Sequence, residues 1–117
     1  MELRLTVEEV ALLYEILKAR DDALRKRLEE VSNREMEREL EHSHGSVKGL
    51  LGNLMARELE FAYEELDDLA RLLAEYDRQF AQEISREEDP ERQSAMLRKQ
   101  VVLKLLRDKV TEACVML

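Results

Sequence analysis

A chain of 117 residues suits one domain with a modest core. Its 27 acidic against 19 basic residues leave a net charge of −8, which argues against a nucleic-acid binder because phosphate binding needs a basic face. Only three residues are glycine and one is proline, helix formers fill most of the rest, and no apolar run approaches the ~20 residues of a membrane helix.

Thr6-Val7-Glu8-Glu9 reads as a capping box, with Thr6 as N-cap and Glu9 reaching back. Leu5 and Val10 stand where a hydrophobic staple needs them. Val10, Leu13, Leu17, Leu24, Leu28 and Val31 then mark an apolar stripe, which predicts a first helix over 7–31. Ser32-Asn33-Arg34-Glu35 reads as a second capping box and opens a helix over 34–54, with Met36, Leu40, Val47, Leu50, Leu51 and Leu54 as its apolar positions. The third helix, over 57–84, carries Leu59, Ala62, Leu66, Leu69, Leu73, Tyr76 and Phe80 at alternating steps of three and four, a heptad seam. The junction before it reads either as a tight turn near Asn53 or as one long kinked helix. Asp89-Pro90 gives an N-cap followed by proline at the first helical position. It predicts a fourth helix over 90–116, with Met96, Leu103, Leu106, Val110, Ala113 and Leu117 on one side. The short first and last connections make neighbours antiparallel. The expected fold is a single domain over 1–117, an all-α, antiparallel up-down four-helix bundle.

Gly45, Gly49 and Gly52 fall within eight residues of the second helix. At about 100° per residue they line one face with Ala56, although each costs roughly 1 kcal/mol against alanine. Such a trough serves either close packing against another helix or the docking of a partner near the backbone.

The stretch Ser46-Val47-Lys48-Gly49-Leu50-Leu51-Gly52-Asn53-Leu54-Met55-Ala56 resembles the core motif of histidine-containing phosphotransfer (HPt) domains, the carriers of His–Asp phosphorelays. The family motif runs histidine, two residues, lysine, glycine, then small residues and a turn containing Asn or Thr. Leu40 before the motif matches, as do Glu65-Leu66-Asp67 and Leu69-Ala70-Arg71 on the following helix. The resemblance implies a helical bundle that engages a response-regulator receiver domain, with Gly45, Lys48, Gly49 and Gly52 at the docking face. It departs from the family at two places. Gly45 stands where the phosphoacceptor histidine belongs, and Met55 replaces a glycine. His44 is one residue early and His42 three. His44 and Lys48 form an i,i+4 pair that sets a cation beside the imidazole, so His44 is the first candidate phosphoacceptor in a shifted register and His42 the second. His44 nonetheless lies about 100° round the helix from the family position. Binding without phosphotransfer is therefore the favoured version. Read structurally, both histidines would be solvated on a polar face.

Other chemistry finds less support. Glu39-Leu40-Glu41-His42 and Glu41-His42-Ser43-His44 each hold a Glu-x-x-His, but di-iron bundles need that motif from two helices, and His42 and His44 are ~200° apart. No metal and no cofactor are expected, and a carrier or pseudo-carrier is favoured over an enzyme. Cys114-Val115-Met116-Leu117 formally fits a prenylation box without a polybasic stretch before it; a buried cysteine near a helix end is expected instead. One cysteine makes no internal disulfide, and Met1-Glu2-Leu3-Arg4 lacks the basic-then-apolar layout of a secretion signal, so a cytoplasmic location is expected. The alternative function is a helical adaptor or self-associating structural bundle, for which the heptads of the third helix speak. Expected partners are a receiver domain or another helical protein, including a second copy of this chain, and neither nucleic acid nor membrane.

Overall fold

The computed structural model describes residues 2–57 and 59–116. The chain is all-α, with four helices: α1 (Val7–Glu30), α2 (Arg34–Met55), α3 (Tyr63–Arg86) and α4 (Pro90–Met116). By contacts it divides into two compact units, one of Met1–Leu12 with Glu60–Leu117, the other of Leu13–Leu59.

In the first unit α3 and α4 form an antiparallel pair. Gln93 donates to the carbonyl of Ile84 at 3.2 Å, the Lys99 ammonium lies 5.5 Å from the Phe80 ring centre, and Arg107 pairs with Asp77. Residues progressively earlier on α3 thus meet residues progressively later on α4. The seam between them is apolar. Leu66, Leu69, Leu73, Leu103, Leu106 and Val110 are fully buried, with Phe80, Ile84 and Ala113 nearly so. Asp89 caps α4 as its Asp-Pro signal predicts: its carboxylate accepts from Glu91 N–H at 3.1 Å. Met96 is half-buried, and the expected core position Leu117 lies outside the described residues. No helix of the described residues is long and apolar enough to cross a membrane.

The start of α3 differs from the expectation. The helix begins at Tyr63, not at 57, so Leu59 and Ala62 are not helical seam positions. The junction is neither a turn near Asn53 nor a kinked helix. Arg57 adopts φ 58, a left-handed conformation that ends α2 with its N–H on the carbonyl of Leu54 at 3.1 Å. Beyond it Glu60 makes an antiparallel bridge with Glu2, and Phe61 and Leu3, each next to a bridge residue, are buried. Burying one phenylalanine outweighs the helix propensity of a segment with no breaker in it. The Glu65 carboxylate then accepts from Ala62 N–H at 2.9 Å, half of a capping box, since alanine has no oxygen to return.

The Thr6 box that opens α1 forms in both directions, Thr6 N–H to Glu9 Oε1 at 2.9 Å and Glu9 N–H to Thr6 Oγ1 at 3.1 Å. Further along, α1 buries Leu12, Leu13, Ile16, Leu17 and Leu24, whereas Val10, Leu28 and Val31 are half-buried. The buried face is wider than a narrow heptad stripe. At α2 the expected Ser32 box is replaced by Asn33, one residue later, whose Oδ1 accepts from Glu35 N–H at 2.9 Å. Val47, Leu50 and Leu54 are buried on α2, Leu40 and Leu51 half-buried, and Met36 exposed. Asp21 and His44 sit at similar distances either side of the short link 31–33 and meet across it, as a helical hairpin requires.

Candidate docking site on the second helix

Gly45, Gly49, Gly52 and Ala56 are all exposed. All three glycines have ordinary helical backbone, none with positive φ, and a Cβ added at any of them would meet no atom within 4 Å. Close packing against another helix, one of the two readings of the trough, is therefore not what these glycines serve among the described residues. Lys48 is exposed on the same helix, so Gly45, Lys48, Gly49 and Gly52 are brought to solvent together. With neither backbone geometry nor packing to require them, the glycines are a net cost of about 2–3 kcal/mol to α2.

His42 is exposed, as a solvated histidine should be. His44 is not. Its side chain is only 15% exposed, and Nε2 lies 2.7 Å from Oδ1 of Asp21, whose own side chain is 2% exposed. The two atoms are within ionic reach but are not aligned as a hydrogen bond, so their attraction is strongest when the imidazole carries its second proton. Asp21 is also held by Arg25 at 2.8 Å, with Lys18 at 4.0 Å. His44 thus directs one nitrogen at a buried carboxylate rather than at an incoming phosphoryl group, and the polar-face reading of this residue is corrected.

Asp21 is the site residue that periodicity alone passes over. It stands in the α1 stripe four residues after Leu17 and three before Leu24. A carboxylate at a core register is itself a signal that a basic partner must be supplied. Glu9 is the same signal one unit away: it lies four residues before Leu13, is 2% exposed, and takes Lys109 Nζ at 2.5 Å. Burial alone would raise the Glu9 carboxyl. Hydrogen bonds from Lys109 and from the Thr6 N–H and hydroxyl, with the Lys109 charge, outweigh it and hold Glu9 below the ordinary value of 4.5.

Among the described residues no group of three or more His, Cys, Asp or Glu is placed to hold a metal ion, and Cys114 is half-buried on α4. The depressions on the surface are shallow and polar-rimmed, one beside the link at Val31, Asn33 and Met36 and another by Glu83, Arg92 and Met96. Compared with models of known protein families, with curated proteins and with solved structures, the chain finds no significant match.

Proposed function

We propose that this chain is a non-catalytic docking protein, an HPt-like module that engages response-regulator receivers through α2 without itself carrying phosphate. The observation that carries the reading is the open face of Gly45, Gly49 and Gly52. Three helical glycines that nothing inside the molecule requires have a purpose only if something outside approaches the backbone closely. The exposed Lys48 beside them offers a charge to an acidic partner surface. The resemblance of Ser46–Ala56 to the phosphotransfer motif is what favours a receiver domain as that partner. The inward turn of His44 onto Asp21 and the glycine at position 45 both favour binding over transfer.

The test uses receivers from the source organism. The wild-type chain should bind a cognate receiver and take no label from a phosphorylated one. Gly45→His should gain acid-labile phosphate, because its Cβ meets no atom within 4 Å and the substitution completes the histidine-to-lysine spacing. If wild-type protein is labelled and His44→Ala abolishes the label, the carrier version replaces the pseudo-carrier. Absence of receiver binding by every variant would overturn the reading.

A further inference from the structure

The residues of α4 divide by face. Toward α3 lie Leu103, Leu106, Val110 and Ala113, all buried, and the charges on that flank are engaged, Arg107 with Asp77 and Lys109 with Glu9. On the opposite side, each within about 40° of the line of Val101 at 100° per residue, run Leu97, Val101, Leu105 and Val115, which are 46%, 61%, 53% and 81% exposed. Among the described residues no other helix exposes more than two large apolar side chains. The expected surface for self-association, the heptad seam of α3, is buried within its own pair. The surplus apolar face belongs to α4.

The charges on this outer face are segregated by sign. Arg98 and Lys104 flank its N-terminal half, and Asp108 and Glu112 occupy its C-terminal half. All four are exposed, and none forms an ion pair among the described residues. A helix with this order is complementary to itself when reversed.

We propose that two copies of this chain associate through the outer faces of α4, antiparallel about a two-fold axis near Leu105. That register sets Leu97 against the partner's Val115. It sets Arg98 against the partner's Glu112 and Lys104 against the partner's Asp108. A parallel pairing would place like charges together and leave the acidic half unmatched. The two-fold arrangement repeats every contact, as an isologous interface must. A shallow depression between Lys104 and Asp108, beside Val101 and Thr111, leaves room for a side chain of the partner. From Leu97 to Val115 the face is about 27 Å long and ~10 Å wide, so it buries roughly 270 Å² per copy. Stable interfaces bury about 800 Å² per partner, so the pair is a weak dimer of micromolar or poorer affinity, and salt weakens it further.

Sedimentation equilibrium from about 1 μM to about 1 mM tests this. The wild-type mass should climb toward twice that of the chain and fall back when salt is raised. Val101→Glu should stay at the monomer mass while keeping the wild-type far-ultraviolet dichroism. Lys104→Glu alone should weaken association at least tenfold, and combining it with Asp108→Lys should restore it, since each new acid then meets a new base. A wild-type monomer throughout the range would overturn the proposal. So would a dimer indifferent to Val101→Glu, or a charge-swapped double variant that does not recover. Receiver binding is measured independently of mass, so failure here and failure of the docking reading are told apart.

Discussion

Between α3 and α4 every fully buried residue is apolar, and the charges that join the two helices sit at the rim, Asp77 with Arg107 at partial exposure. The α1·α2 hairpin instead buries a carboxylate, Asp21, and meets it with a histidine from the second helix. It then leaves three glycines on an open helical face. The first pair is what hydrophobic periodicity makes on its own. In the second, apolar contact is supplemented by a buried polar link, and helix propensity is given up along a surface. A segment optimised for folding alone would not keep those glycines, and functional surfaces are where such local inconsistency is found.

The largest expected effect tests the apolar seam. Leu66 and Leu69 have no exposed surface, so Leu66→Ala should destabilise by about 2–5 kcal/mol, read as a lower denaturation midpoint at unchanged slope. The half-buried Leu51 of α2, changed the same way, should cost less than half as much. Equal losses would erase the difference between the two pairs.

The polar link comes next. Asp21→Ala removes the one carboxylate shared by Arg25 and His44 and should destabilise by about 1–3 kcal/mol. The value lies below that of a fully buried ion pair because Arg25 is half exposed and loses little when returned to water. A double-mutant cycle with His44→Ala should show the two substitutions coupled. Additive losses would mean that the 2.7 Å approach contributes no energy.

How much of this was legible follows from where the forces are local. The caps at Thr6 and Asp89, the helix types and the α3·α4 seam depend on residues three or four apart, and each was readable from Thr6-x-x-Glu9, Asp89-Pro90 or the spacing Leu66, Leu69, Leu73. The exposed position of Gly45, Gly49 and Gly52 was readable only as one of two alternatives, because a trough looks the same in sequence whether filled or open. The start of α3 was not readable. Nothing between Met55 and Tyr63 breaks a helix, and the path there is set by the burial of Phe61 and the bridge from Glu60 to Glu2, 58 positions away. The Asp21–His44 contact was likewise non-local. Only the misplaced charge among Leu17, Asp21 and Leu24 hinted at it.

Glu9 gives a smaller, pH-dependent effect within the α3·α4 unit. Its folded carboxyl is held below the ordinary value of 4.5, so the unfolded chain takes up a proton first as pH falls. The stabilisation is therefore complete above the unfolded value and is lost as pH drops through the folded one. Glu9→Gln should remove that part of the acid dependence and cost about 1–2 kcal/mol at neutral pH. An acid-unfolding profile identical to wild type would show that Lys109 does not hold Glu9 ionised.

The smallest effect has the opposite sign and bears most directly on function. At Gly49 the backbone is helical, φ is negative, and a Cβ meets nothing within 4 Å. Gly49→Ala should therefore stabilise the protein by about 0.5–1 kcal/mol, since alanine loses less backbone entropy on entering a helix. If the open face exists to admit a partner, the same methyl stands between that partner and the backbone, and receiver affinity should fall as stability rises. The trade is what separates a docking surface from an unoptimised helix: in the latter, Gly45→Ala, Gly49→Ala and Gly52→Ala would each stabilise with no loss of binding. Thermal denaturation and receiver titration on the same three variants measure both sides of it. A destabilised Gly49→Ala would mean instead that the face is filled by the protein itself, and that close helix packing, not docking, is the reason for the glycines.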